Sequence, residues 1–473
     1  MEKPDDTNIA LLAQELNSLS LQERNKAIES LHGVDHVIKE TPGMIRDKLL
    51  EFQLALDCLL HTEPSISRKI TAVTRNAYLQ AHQQSPSYVQ NPAFRLMFLR
   101  AEGFDPMLAA HRMLVYLEEK LSRFGLDALT RSLTMQDLSP QAMSMLLDLG
   151  IQQLVPSRDS AGRAIYLIHN DADRVRDLMR QDPMAATNLT FYLVSAAAED
   201  EETQRRGMVS LHVMPVLPKM EDMDVIRMNA KRGNACDWSP VQFKANHIWA
   251  KTLSNNPLIR VLLNTLSQNA RVRVRIHTGS YTELKYHLLT FGIPSNCLPY
   301  TMDGEELRIS ANQRWVNRRK IKENMFRGHR EFRALDLPGC RDVCLGRGSA
   351  SHQHSGNVIM RALMSTLIHE YRVADSQGRK RLNRCLVKMV REGGGRFLMK
   401  TSGGWYEEVH DETEIENKVG ASFRGMISRT SMDSSGKEGE LQERDPGVNW
   451  TGGAKRARLD FHGQSYNQRC FGM

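Results

Sequence analysis

Apolar residues recur at helical spacing through the first 84 positions: Leu11, Leu12 and Leu16, then Leu49, Phe52, Leu56 and Leu59. This spacing predicts an amphipathic helical extension over 1–84 in which no chemistry stands out. Pro86 and Pro92 break the pattern. FRLMFLRAEGFDPMLAAHRMLVYLEEKLSRFG then reads as two apolar helices parted by Gly103-Phe104-Asp105-Pro106, with Asp105 as N-cap and Pro106 at the first helical position. From residue 160 the period alternates. GRAIYLI (162–168), MVSLHVM (208–214) and VQFKANHI (241–248) read as strands, the last with Val241, Phe243, Ala245 and His247 on one side. FYLVSAAAEDEETQ (191–204) and NPLIRVLLNTLS (256–267) read as the helices between them. RVRVRIHT (271–278) closes the series, with Arg271, Arg273 and Arg275 on one side and Val272, Val274 and Ile276 on the other. Strands separated by helices imply βαβ units and a mainly parallel sheet.

QRWVNRRKIKENMFRGHREFR (313–333) carries eight Lys or Arg against two Glu and reads as a basic helical connector. A second unit follows: a glycine-rich opening, a helix over about 357–373, and a basic helix, RKRLNRCLVKMVRE. A hairpin of RFLMK and WYEEV joined by TSGG comes next, then a last helix over about 411–425. The stretch after 428 is rich in Ser, Gly and charge with few aliphatics, and is expected to be disordered.

Composition changes this picture little. The 473 residues are 41% hydrophobic and 25% charged, ordinary values for a soluble globular chain, and the net charge of +8 is mild for the length. MEKPDDTNIA lacks the apolar core of a signal peptide, and no apolar run reaches the roughly 18–20 residues of a membrane span. A soluble protein made in the cytosol is expected. Seven scattered cysteines argue for reduced thiols rather than a disulfide framework.

Five motifs in order over 85–306 carry a family resemblance: FRLMFLRAEGFDPMLAAHRML, VPSRDSAGRAIYLI, EDEETQRRGMVSLHVM, FKANHIWAKTLSNNPLIRVLLNTLSQNARVRVRIHTGS and LLTFGIPSNCLPYTMDGEE. Together they resemble the CRAL-TRIO lipid-binding family. Ala164, His212 and Asp303 depart from the family's proline, aspartate and glycine. The resemblance implies an α/β fold with a mainly parallel sheet flanked by helices, and an apolar pocket. A lipid carrier needs such a pocket because each CH₂ moved into water costs about 0.8 kcal/mol. It also implies that Leu258, Ile259, Val261, Leu262, Leu263 and Leu266 coat a pocket lid; periodicity alone favours a plain core helix. Lys244 and Arg275 fall on positions where family members contact headgroups, and Arg273 extends the row. A guanidinium fork suits phosphate oxygens, and a salt-bridged strand face is the other reading.

The second unit resembles an uncharacterised domain family common in diatoms and related algae. The resemblance rests on Asp342-Val343 and Gly346-Arg347-Gly348, then His354-Ser355-Gly356-Asn357, Gly394-Gly395-Arg396-Phe397-Leu398 and Trp405-Tyr406-Glu407-Glu408-Val409, with Ser355 in place of proline. It implies no activity. Cys340, Cys344, His352 and His354 have no common zinc-finger spacing, and no metal is expected. Gly346, Gly348 and Gly356 could form an anion nest, but the nucleotide-loop pattern is absent. No G-x-S-x-G, H-E-x-x-H or paired C-x-x-C occurs, so neither an enzyme nor a cofactor is expected. Lys380, Arg381, Arg384, Lys388 and Arg391 recur along the basic helix, as phosphate contacts or as a solvated face. Lys455, Arg456 and Arg458 in GGAKRARLD resemble a nuclear import signal.

The expected organisation is a helical extension over 1–84, a CRAL-TRIO-like domain over 85–306, a basic connector over 307–335, a small α+β domain over 336–428 and a disordered tail over 429–473. The expected function is non-catalytic binding, transfer or presentation of a hydrophobic ligand or phosphoinositide. The partners would be the lipid and an anionic membrane surface, and the compartment the cytoplasm. The alternative is a nuclear regulator that touches nucleic acid through the C-terminal domain.

Overall fold

The computed structural model describes residues 7–61, 72–216, 235–251, 263–264, 266–301, 306–327, 335, 337–346, 349–402 and 404–435. Packing divides the chain into two units, 1–423 and 424–473, and the first of them holds both sheets.

The N-terminal region is helical, as its spacing predicts: α1 (Thr7–Asn17), α2 (Leu21–His32), α3 (Pro42–His61), α4 (Ala72–Gln84) and the short α5 (Pro86–Val89). The two apolar helices follow as α6 (Pro92–Ala101) and α7 (Pro106–Leu129), and Asp105 accepts a hydrogen bond from Leu108 N at 3.0 Å as the N-cap of α7. One core crosses residue 84. Phe52 and Leu56 of α3 and Ala77 and Ala81 of α4 pack in the same apolar cluster as Phe98, Met113 and Leu117. The helices before 85 are therefore part of the fold's interior.

After α8 (Pro140–Leu147), β1 (Gln152–Arg158) opens a five-stranded sheet with β2 (Ala164–Asp171), β3 (Met208–Val216), β4 (Phe243–Ala250) and β5 (Val274–Thr278), in the order β1-β2-β3-β4-β5. β2 to β5 run parallel, and β1 is antiparallel to β2. β1 is not evident in the sequence, because its alternation is interrupted by Pro156 and two glutamines. The single helix expected over 191–204 is divided. After α9 (Ala172–Gln181) come α10 (Ala185–Ala197) and α11 (Glu201–Arg206), and Asp200 ends the first run by capping the second through Thr203 N at 2.7 Å. The short α12 (Ala235–Trp238) precedes β4.

The two faces of the sheet carry separate cores. Ala164, Tyr166, Met208 and Phe243 join the helical core of α3 to α10. Ile165, Leu167, Val209, Leu211, Ala245 and Trp249 pack instead beneath α14 (Tyr281–Thr290) and Leu31 of α2. The even alternation expected along β4 is corrected here. The register shifts between Met208↔Phe243 and Val209↔Ala245, so Phe243 and Ala245 fall in different cores.

The basic stretch after 306 forms a helix, as expected, α15 (Ser310–Arg327). Trp315 and Val316 enter the helical core, and Arg319 and Glu323 are buried with them. Glu323 Oε1 accepts from Tyr192 Oη at 2.6 Å and Arg319 Nε at 2.9 Å, while Arg319 Nη1 donates to Glu199 at 2.6 Å.

The C-terminal part forms a small three-stranded sheet, β6 (Val343–Cys344), β7 (Phe397–Lys400) and β8 (Tyr406–Glu408), in which β7 and β8 are the expected hairpin. Around it lie α16 (Ser349–Gln353), α17 (Ser355–Val373), α18 (Ser376–Glu392) and α19 (Glu412–Ser435). α19 runs about ten residues past its expected end, into the stretch expected to be disordered. Lys455, Arg456 and Arg458 lie outside the described residues.

Candidate functional site

The three arginines expected on one strand face part company. Arg271 ends a short helix, α13 (Gln268–Arg271), where it pairs with Glu15 at 2.9 Å. Arg273 precedes β5, is buried, and is not free of partners. Arg275 alone of the three lies on β5, which is an edge of the sheet. The ladder to β4 uses the carbonyl of Arg273, which accepts from Asn246 N at 3.0 Å. By the two-residue period, the carbonyl of Val274 points away from β4. Arg275 Nη1 donates to it at 2.7 Å and to the carbonyl of Val272, the C-cap of α13, at 3.2 Å. Its guanidinium caps an otherwise open sheet edge, a device that discourages pairing with another chain.

Lys244 lies elsewhere, in a cleft of about 70 Å³ with Asp35, Glu40, Arg100, Arg205 and Arg206 along its wall. Each cation there is matched. Lys244 Nζ sits 2.6 Å from Asp35, Arg100 lies 2.6 Å from both Glu40 and Glu201, and Arg206 lies 2.5 Å from Glu202. Burial pulls the Lys244 pKa below its ordinary value and Asp35 partly offsets this. Burial raises Glu40, but bonds from Arg100 and Arg205 outweigh it and hold the carboxylate below its usual range. This arrangement is an ionic seam between the loop after α2, the end of α6 and α11. Lys244 and Arg275 are engaged with different partners, and Arg273 adds to the lowering of the Lys244 pKa.

A different constellation emerges on the helical-core face of the sheet. Register aligns Ile168 of β2, His212 of β3, Ile248 of β4 and Ile276 of β5 in one cross-strand row. With neighbouring strands about 4.8 Å apart, the row spans roughly 14 Å. Ile248 is buried, whereas Ile168, His212 and Ile276 keep part of their surface accessible. The His212 ring combines that accessibility with strong desolvation, for burial alone lowers its pKa to about 4. Among the described residues, nothing hydrogen-bonds to the ring. On the same face, the next residue pair toward the strands' N-terminal ends is polar: Ser210 Oγ donates to Asn246 Oδ1 at 2.5 Å, and the Asn246 side chain meets the Cys236 thiol.

Of the residues expected to form the pocket lid, Leu263 is fully buried and Leu266 half-buried. Leu258, Ile259 and Leu262 lie outside the described residues. In the sequence, His212 stands out merely as a departure from a family pattern. Its place in a row depends on the register of four strands, which one sequence does not display.

In the C-terminal domain the signature residues are structural. Asp342 accepts from Gly339 N at 2.7 Å, Arg396 N at 3.0 Å and Arg396 Nη2 at 2.8 Å. Asn357 clasps β6 through Cys344 N at 2.8 Å and Cys344 O at 2.9 Å. A Cβ at Gly356 would lie 2.1 Å from Asp342 O, so that glycine is filled space rather than an anion nest. His354 caps α17, and among the described residues no group of three His, Cys, Asp or Glu could hold a metal. The basic face of α18 is partly neutralised, with Arg384 2.9 Å from Glu416, Arg391 2.5 Å from Glu412 and Lys388 3.6 Å from Glu392.

Residues 342–425 match a family described as Domain of unknown function (DUF6824). No curated protein matches the chain. Among the described residues no helix is long and apolar enough to cross a membrane.

Proposed function

We propose that the five-stranded domain binds a hydrophobic ligand non-catalytically, against the sheet face that carries Ile168, His212, Ile248 and Ile276. The row itself supports this most directly: apolar side chains in register, with accessible surface beside a desolvated ring. Sheet topology and the ordered sequence motifs are compatible with a CRAL-TRIO-like carrier. The cations expected to meet a headgroup are engaged with Asp35 and with edge carbonyls, and they have no part in this site. Replacing a central row member with a larger side chain should fill the space. Ile248→Trp is expected to lower uptake of a fluorescent apolar probe, diphenylhexatriene, by tenfold or more while thermal unfolding stays cooperative. Uptake equal to that of the parent contradicts the assignment of the site to this face.

A further inference from the structure

We propose that the C-terminal domain docks on duplex DNA through the basic face of α18, independently of the lipid-binding reading. At 3.6 residues per turn, Lys380, Arg391, Arg384, Lys388 and Arg381 fall within an arc of about 100°. All five are exposed, while Leu386, Val387 and Val390 are buried on the other side. Glu392 is the single carboxylate of the helix. Two of the five are engaged by α19: Arg384 lies 2.9 Å from Glu416 and Arg391 2.5 Å from Glu412. Lys388 meets Glu392 only at 3.6 Å, with the side chains 76% and 65% exposed, a pairing worth little in water. Among the described residues no ion pair reaches the side chain of Lys380 or Arg381. The face therefore offers three cations to a partner, and it needs a polyanion to satisfy them together.

Geometry selects which polyanion. From Lys380 to Arg391 the row runs about 16 Å, more than the roughly 12 Å width of the major groove, so it reaches phosphates on both sides of that groove. α17 and α18 are joined by Ala374 and Asp375, and Asp375 caps α18 through Gly378 N at 2.7 Å. That short turn leaves Ser376, Gln377 and Lys380 exposed at the leading end of α18, the end that a helix presented in this way lays against a duplex. α18 carries no aromatic side chain on which unpaired bases could stack, which argues against a single strand. Its apolar residues are turned into the domain, so none is left to insert into a bilayer. Contacts of this kind meet phosphates, and little sequence preference follows from them.

The test titrates a fluorescent mixed-sequence duplex of about 20 base pairs with the full-length protein, reading anisotropy between about 50 and 200 mM salt. Three phosphate contacts predict a slope of about −3 in log affinity against log salt. Lys380→Ala with Arg381→Ala is expected to flatten that slope by about 2 and to weaken binding by about tenfold at the lowest salt. Glu412→Gln with Glu416→Gln releases Arg391 and Arg384 and is expected to tighten binding. If the alanine pair lowers the unfolding temperature, Lys380→Gln with Arg381→Gln, which keeps both side-chain stems, carries the same expectation. No binding at the lowest salt overturns the proposal, and so does a slope left unchanged by losing Lys380 and Arg381. Displacement of the duplex by phosphatidylserine vesicles at equal anionic charge assigns the face to a membrane surface and overturns it as well.

Discussion

Arg275 and Lys244 are cations of similar sequence setting that the fold engages in different ways. Arg275 alternates with β-branched residues and suggests a cationic row, yet its strand is an edge, where it caps two carbonyls. Lys244 finds Asp35, 209 residues away. The residue types were legible in the sequence; the partners were not, since Asp35 reaches Lys244 through tertiary folding, and the carbonyls that Arg275 meets one and three residues back are open to it because its strand is an edge. Histidines on the other face of the sheet give a residue-scale expectation. His247 Nδ1 and His277 Nε2 are 2.9 Å apart, and both rings are buried. Burial first, then His287 and Arg275, lower His277 to about 4. A base with a lowered folded pKa is neutral in the fold while the unfolded ring titrates near 6.5. The unfolded chain therefore binds more protons as pH falls from 6.5 toward 4, and stability is lost over that window. His277 alone should cost on the order of 2 kcal/mol at pH 5. Urea midpoints are expected to fall between pH 7 and pH 5, and His277→Gln to lessen the slope. Midpoints flat across that range contradict this.

At the scale of elements, the strands with unbroken apolar runs were legible, and so was the Asp105-capped α7. Legibility failed where a local device overrode the pattern. The bulge at the start of β4 moved Ala245 to the other core, and Asp200 cut one expected helix into two. α15 shows a third cause. Its charge hides its burial, because two core residues in eighteen give little periodic signal, while the burial of Arg319 depends on Tyr192 in α10, on Glu199 just past its end and on Glu323 one turn along α15 itself. Removing one acceptor of a buried network leaves its donors unmet. Glu323→Ala takes the acceptor from Tyr192 Oη, Met135 N and Arg319 Nε, while Arg319 keeps Glu199, and is expected to destabilise by about 2–3 kcal/mol. Denaturant unfolding measures it, and a loss below about 1 kcal/mol would mean that α15 is held by Trp315 and Val316 alone.

For the molecule as a whole, a shared apolar core joins the N-terminal helices, the sheet and α15. The signature of the C-terminal domain was readable as a pattern, and its physical content lies in the Asp342–Arg396 pair, the Asn357 clasp and the tight approach at Gly356. These residues hold a small sheet together, which explains why the pattern suggested no activity. The candidate binding face was less legible than the fold, since a cross-strand row exists only after four strands have found their register. The central claim is that the sheet face carrying Ile168, His212, Ile248 and Ile276 holds a lipid. Native mass spectrometry of freshly isolated full-length protein, followed by organic extraction, tests it most directly. The expected result is a population heavier than the polypeptide by one discrete apolar molecule, lost on extraction and reduced in Ile248→Trp. A single population at the polypeptide mass, with no lipid in the extract and no uptake when lipids are offered, would contradict it.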